Sequence, residues 1–481
     1  MNALLNRKTT GVPERTVRVL QFGDGNFLRA FTDWIIDIAN EKNVLDAGIA
    51  IVPPRFRENA ATETLRRQDG LFHVVLEGVD HGAPRRETRL VTSVQDVFSP
   101  LSDPERYLRY ICSPDLRYVV SNTTEAGIRY EPDDVLSDAP VTFPGKITGL
   151  LYRRYRHFGG DMSKGLVFLC CELIEDNGTL LREYVLRHAR EAGLPDGFVR
   201  WVDASCIFCD TLVDRIVPGF PKDAIGSIKD EIGYDDNAVV VGELYHLWVI
   251  GGKDAGIVKR ELPLHLTGLH VEFTTSVASY REKKVRILNG SHTGMVAMGL
   301  LSGCDTVLDA FRNPDISRFI RRMVEREVIP VINENEDDLR IFADEILERF
   351  LNPYLRHNLS SIALNSLSKW ETRNFPTVRD YYAATGKIAE YGLFTFAALM
   401  ALYAPGSGFT PDDNPGHIAA IRQAWDGAVP EEAVFRILSS GIFINDFERE
   451  VPGFTRAAAG FVEHILRHGM AETLHNFLDR P

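Results

Sequence analysis

The chain has 481 residues, 44% of them hydrophobic and 25% charged, without a biased tract. That is ordinary globular composition at a length beyond a single small core, so two domains are expected. Its 67 acidic residues exceed its 54 basic ones for a net charge of −13, which argues against a nucleic-acid or anionic-membrane partner, since either needs a concentrated basic surface. The opening MNALLNRKTTGVPERTVRVL has no apolar core of signal-peptide length before its charges. The longest uncharged apolar run, residues 391–404, falls short of the ~20 residues of a membrane span and reads as a buried helix. Six cysteines do not make a disulfide framework in a chain of this size, and the sequons at Asn122, Asn177, Asn289 and Asn358 are taken as fortuitous. A soluble, cytoplasmic chain is the expectation.

In chain order, the first informative segment is TVRVLQFGDGNFLRAFTDWIIDIANE, residues 16–41. VRVLQF is a strand-length run of β-branched and apolar residues. Gly23 and Gly25 follow it, and Phe27, Leu28, Phe31, Trp34, Ile35 and Ile38 then recur at helical spacing. Strand, glycine turn and helix are the setting in which a glycine-rich loop binds a dinucleotide: the backbone turns tightly, approaches a pyrophosphate, and the helix N-terminus stabilises its charge. The expected cofactor segment runs through Val19, Leu20, Gln21 and Phe22 of the strand, Gly23, Asp24 and Gly25 of the turn, and Asn26, Phe27, Leu28, Arg29 and Ala30 of the helix. Leu28 stands where G-x-G-x-x-G places its third glycine, so the alternative is an ordinary strand–helix turn.

AGIAIVPP, residues 47–54, supplies the next strand. In NAD enzymes an acidic residue at its end commonly holds the ribose hydroxyls; here Pro53, Pro54 and Arg55 follow, which leaves NAD against NADP open, because an arginine suits a 2′-phosphate. Further strands are expected in LFHVVLEGV (71–79), LRYVVSNTTEAG (116–127) and GLVFLCCELI (165–174), with helices in DPERYLRYIC and KITGLLYRRYRHF. The alternation predicts a largely parallel sheet covered by helices, an α/β Rossmann-like domain over 1–280. Asn122 and Thr123 end their strand at the ligand-binding carboxyl edge and join the expected cofactor set. Cys206-x-x-Cys209, with Glu243 and His246, is too sparse for a metal set, and no metal is expected. Cys170 and Cys171 read as core thiols.

After about residue 285 the strand signals fade, and ISRFIRRMVEREVIPVI, DDLRIFADEILERFLN, GLFTFAALMALY and RAAAGFVEHILRHGM predict a mainly α-helical domain over 281–481. At the border lies KKVRILNGSHTG, residues 283–294, with Lys284, Asn289 and His292. As one α-helix at ~100° per residue these three fall within an arc of about 140°. Asn-Gly-Ser is a candidate break. Taken alone, the alternative is a surface lysine, a turn asparagine and a core histidine.

Lys284-x4-Asn289-x2-His292 resembles the signature of the polyol-specific long-chain dehydrogenases, the mannitol dehydrogenase family, and QFGDGNFLRAF, SNTTEAG, LVDRIVPG and RFLNPY are similar to family segments in family order. The resemblance implies metal-independent hydride transfer to or from nicotinamide (NAD, with NADP open), Lys284 as general acid/base, and Asn289 and His292 as donors to the reacting oxygen. Lysine ordinarily titrates near 10.4, so that role needs a lowered pKa, and Lys283 and Arg286 are neighbours whose like charge would supply it.

Departures narrow the substrate. Where mannitol-type members carry Asp-Asn, this chain reads Glu172-Leu173, with Asn177 nearby, and SSIALNSLSK keeps only Lys369 of the family's Arg-x3-Asp-Gly-Ser-x-Lys. These variants, with FLRAF, point within the family to a small-molecule keto-uronate/aldonate pair, with other keto-uronates or a mannitol-type polyol as alternatives. Lys369, Arg373 and Arg356 are the expected substrate-binding residues, an arginine being suited to grip a carboxylate bidentately. A catalytically silent nucleotide-binding regulator is the non-enzyme alternative; retention of Lys284, Asn289 and His292 favours the enzyme. A monomer accords with the resemblance.

Overall fold

The structure is a computed structural model that describes residues 2–80, 82–123, 127–132, 134 and 140–480. Residues 124–126 of the SNTTEAG segment lie outside the described residues. The chain divides into two compact units, Met1–Asp80 with Pro84–Ala278 as one and Ser279–Pro481 as the body of the other.

The first unit is built on an eight-stranded sheet. In chain order its strands are β1 (Val17–Phe22), β2 (Gly48–Val52), β3 (Val94–Val97), β4 (Tyr118–Ser121), β5 (Val167–Cys170), β6 (Ile207–Asp214), β7 (Leu247–Gly251) and β8 (Val271–Thr274). Their spatial order is β3-β2-β1-β4-β5-β6-β7-β8, parallel except where β6 meets β7. Along β1, Val19 joins the core on one face, Leu20 and Phe22 the core on the other. Both faces are covered, so the strands read as apolar runs rather than alternating ones. Strand order reverses between β1 and β4, and ligands of such sheets bind beyond the carboxyl ends there.

LFHVVLEGV forms a strand, Phe72–Asp80, but in a separate three-stranded sheet between Ala83–Val91 and Val240–Glu243. Its partner, APRRETRLV, is largely exposed, which is why no apolar pattern marks it. A helix runs from 26 to 41 beneath β1, with an internal π-helical segment, Arg29–Asp33.

Every described element of the second unit is helical. Glu390–Leu402 is buried all round, as the apolar run predicts, and no helix among the described residues is long and apolar enough to cross a membrane. Gly290–Leu301 packs against it, where a Cβ at Gly294 would lie 2.9 Å from Thr395 Cγ2. That close approach requires the glycine of the NGSHTG stretch.

Candidate active site

The turn after β1 is fixed by Gly23. Its φ is +146°, and a Cβ there would lie 2.8 Å from Leu28 Cδ1 and 3.4 Å from the Asn122 carbonyl oxygen at the end of β4. Leu28 therefore fills the space over the turn that a third glycine leaves open. Gly25 differs from expectation: its φ is an ordinary −71°, and nothing lies within 4 Å of a Cβ built on it. Its backbone conformation makes no demand for glycine. The open space before the N-terminus of helix 26–41 suits the close approach of an anion, and on this ground the loop fits a dinucleotide pyrophosphate.

Behind the loop lies a buried polar network. Gln21 Nε2 donates to the Gly23 carbonyl at 3.0 Å and lies 3.4 Å from Asp33 Oδ2, while Thr32 Oγ1 donates to Gln21 Oε1 at 3.2 Å. Asp33 is fully buried, and desolvation pushes its carboxyl up to about 8 despite Arg29 nearby. Arg29 is itself buried, donating to the Ala238 carbonyl at 2.5 Å and Asn26 Oδ1 at 2.6 Å, and burial brings its guanidinium down to about 10. Asp24 accepts from Asn59 Nδ2 at 2.6 Å and Thr62 Oγ1 at 2.9 Å, tying the loop to helix Ala60–Arg67.

Of the expected cofactor residues, Gly25, Asn26, Phe27, Asn122 and Thr123 keep solvent-facing surface. The side chains of Val19, Leu20, Gln21, Phe22, Asp24, Leu28, Arg29 and Ala30 are buried and shape the loop from behind. They sit on strand and helix faces turned into the packed layers.

At the end of β4, the buried Glu172 accepts from Ser121 Oγ at 3.0 Å and from both the Thr123 backbone N–H and Oγ1 at 2.9 Å. Desolvation raises its pKa against those hydrogen bonds. This glutamate fixes the Asn122–Thr123 edge; sequence reasoning registered it only as a departure. Asn177 does not replace the missing amide. Its Nδ2 donates to the carbonyls of Cys170, Glu172 and Thr211, each at 3.0 Å, and its Oδ1 accepts from Gly178 and Thr211 N–H at 2.9 Å. Every hydrogen-bonding position of that amide is engaged by backbone. Leu173 is exposed.

In the second unit, residues 278–301 form one helix whose middle, Lys284–Asn289, is π-helical. Asn-Gly-Ser does not break it. Hydrogen bonding from i to i+5 places Lys284 and Asn289 about one turn apart, so the signature residues lie on a narrower stripe than an α-helix would give. Lys284 and Asn289 are half-buried and His292 buried. The His292 ring meets Phe350 at 4.5 Å and His357 at 5.0 Å between centroids, and burial lowers the His357 pKa. The expected like-charge neighbours are spoken for by carboxylates: Lys283 Nζ lies 3.4 Å from Glu334, and Arg286 contacts Asp380 at 2.5 Å and Glu282 at 2.9 Å. Each of the two cations is thus paired with a carboxylate.

The three candidate substrate residues separate. Arg373 is half-buried, and its Nη1 donates to Thr293 Oγ1, beside His292, at 3.3 Å. No carboxylate pairs with it among the described residues, and desolvation alone lowers its pKa. Asn374, next in the chain, donates to the Gly290 carbonyl at 3.0 Å, fastening this corner to the signature helix. Lys369 Nζ donates to the Ile362 carbonyl at 2.9 Å. Arg356 is exposed. Cys206 and Cys209 are buried, and burial raises their thiols to about 11 and about 12. His246 packs edge-on against Trp34 and is brought down to about 3 by burial.

A strand–glycine–helix dinucleotide loop in a doubly wound first unit, joined to an all-helical unit that opens on Lys-Asn-His, defines a class. Residues 17–264 match the mannitol dehydrogenase Rossmann domain and residues 276–424 the mannitol dehydrogenase C-terminal domain; the chain belongs to the mannitol dehydrogenase family. Within it, the chain is similar to the altronate oxidoreductase of Bacillus subtilis (strain 168), 42% identical over 97% of this chain and 96% of that one. It is 36% identical to the altronate oxidoreductase of Phocaeicola vulgatus, over 98% and 99% of the two chains. Its fold is that of D-sorbitol dehydrogenase in substrate-free form (TM-score 0.82, 20% identity, 98% and 100% covered). The mannitol 2-dehydrogenase of Pseudomonas fluorescens, solved as a ternary complex with NAD and D-mannitol, is also alike in fold (TM-score 0.72, 22% identity, 99% and 100% covered).

Proposed function

We propose that the chain is an NAD-dependent keto-uronate reductase that interconverts tagaturonate and altronate. The observation that carries this reading is Arg373: a half-buried guanidinium beside the signature helix with no carboxylate partner among the described residues. A neutral hexitol has no use for such a cation; a uronate brings a carboxylate to it, bidentately. The similarity to altronate oxidoreductases over nearly the whole chain supports the same substrate.

Bound nicotinamide supplies the hydride in reduction and accepts it in oxidation. On this reading the Lys284 ammonium gives its proton to the ketone oxygen as the carbon is reduced, and neutral Lys284 takes the hydroxyl proton in reverse. Asn289 and His292 donate to the oxygen as it gains charge. Gly25, Asn26, Asn122 and Thr123 are the residues proposed to face the cofactor, with Glu172, Asp24 and Gln21 holding them in place. Thr293 aims Arg373 at the substrate carboxylate, and Lys369 supports the same corner. Six free cysteines, four of them buried, accord with a reducing, cytoplasmic setting.

The test is NADH oxidation with tagaturonate, fructuronate and fructose side by side. Tagaturonate should be preferred. Fructose turned over as efficiently would remove the uronate assignment, and a preference for fructuronate would reassign the substrate within the same chemistry.

A further inference from the structure

Asn374 joins two helices of the second unit, Ser366–Arg373 and Phe375–Thr385. Its backbone is fixed from both sides. Its N–H donates to the Trp370 carbonyl at 2.9 Å, and its own carbonyl accepts from Thr377 and Val378 N–H at 3.1 and 3.2 Å. The residue is buried, and its amide meets the signature helix where that helix leaves the π-helical segment. Nδ2 donates to the Gly290 carbonyl at 3.0 Å. The same nitrogen lies 3.7 Å from a Cβ built on Gly290 and 3.7 Å from one built on Gly294. The two glycines, one α-helical turn apart, leave the flat ground on which the amide rests.

The other end of this amide is not satisfied: Oδ1 is buried and has no hydrogen-bond partner among the described residues. A half-satisfied buried amide costs stability that an apolar side chain of similar size would not. What asparagine supplies here and leucine cannot is a donor, and the hydrogen bond it makes is to the Gly290 carbonyl. A second contact reaches the signature helix from the same element. Asp380, farther along Phe375–Thr385, contacts Arg286 at 2.5 Å, inside the π-helical Lys284–Asn289. Asn374, at the start of that helix, holds Gly290, on which α-helical geometry resumes. One rigid helix therefore holds the segment both within it and just past its end. Relaxation to an α-helix would turn Asn289 to about 140° from Lys284 around the axis and draw Gly290 off its donor.

We propose that Asn374 is a positioning residue: by holding the Gly290 carbonyl it keeps the Lys284–Asn289 turn π-helical, so that the proton donor and the oxygen-binding amide face the same substrate atom. It acts through the helix backbone and not on the substrate. The proposal rests on the acid–base reading of Lys284 and adds to it a residue outside the signature.

Asn374→Leu keeps the size of the side chain and removes the donor; Asn374→Ala removes the donor and leaves space, in case leucine prevents folding. In NADH oxidation with tagaturonate, either variant should lower kcat about ten-fold or more, since small misplacements of reacting groups are costly. KM for tagaturonate and NADH affinity, followed by fluorescence, should change by less than about two-fold. A coupling measurement separates positioning from simple loss of stability. Alignment matters only while Lys284 is present, so Asn374→Ala should cost little further turnover in a Lys284→Ala background. The same loss in both backgrounds, or normal kcat in a folded variant, would overturn the proposal. So would a raised KM with kcat intact, which would tie Asn374 to its neighbour Arg373 instead. If Lys284→Ala alone keeps its turnover, the acid–base reading falls and Asn374 with it, an outcome distinct from failure of Asn374 alone.

Discussion

Lys284 and Asn289 stand one π-helical turn apart on a helix that is α-helical on both sides of them. In an α-helix the same spacing carries the second residue about 140° around the axis. π-Helical segments are rare and tend to mark functional sites, and here the segment begins and ends on two residues of the signature. Lys284→Ala should lower turnover by ~10²–10⁴-fold, the usual worth of a general acid–base group. NADH affinity, followed by fluorescence, should barely change. Near-normal turnover in a folded variant would remove the acid–base role.

The two glycines of the loop predict different failures. Gly23→Val places a branched side chain at φ +146°, against Leu28 and the Asn122 carbonyl, so melting temperature and cofactor binding should both drop. Gly25→Val meets no protein atom within 4 Å, so the fold should survive while NADH binding is lost. A Gly25→Val protein that binds NADH normally would show the segment to be only a turn.

Arg373→Met should raise KM for tagaturonate more than about ten-fold, as expected for one charged hydrogen bond of ~1.5–3 kcal/mol. Arg356→Met, altering an exposed side chain, should leave KM unchanged. Steady-state kinetics on both variants decide it; equal effects would mean the carboxylate is gripped elsewhere.

Asp33 predicts a pH dependence of stability. Its folded pKa is raised to about 8 by burial, whereas an unfolded Asp titrates near 3.9. Between about pH 4 and 8 the folded chain keeps this proton and the unfolded chain releases it, so the group's contribution to stability falls as pH rises through that window and levels above it. Asp33→Asn has no proton to lose, and its melting temperature should vary less between pH 5 and 8 than that of the unaltered protein. Parallel melting curves for the two would show that Asp33 is ionised in the fold.

The loop, the sheet's central strands, the helical second half and the Lys-Asn-His helix were legible because each leaves an apolar period or a motif. What escaped did so for physical reasons. Ala83–Val91 is polar and exposed along most of its length, so no pattern marks it as a strand. The π segments leave no periodicity of their own. Arg29 is expected to face the cofactor and nothing in the pattern singles out Asp33, because charge gives no sign of burial; both are buried behind the loop. Asn177 reads as a spare amide until its carbonyl partners are seen, and Arg373 and Arg356 are indistinguishable until one is found beside Thr293 and the other on the surface.

Asn26 and Gly219 join segments nearly two hundred positions apart. Gly219 has φ +101°, and a Cβ on it would run into the Asn26 amide nitrogen, whose oxygen accepts from Arg29. Any side chain at 219 would be strained by that φ and would displace the Asn26 amide from its place beside Arg29. Position 219 is therefore held to glycine twice over, by its own backbone and by its neighbour: sequences that keep asparagine at 26 are expected to keep glycine at 219.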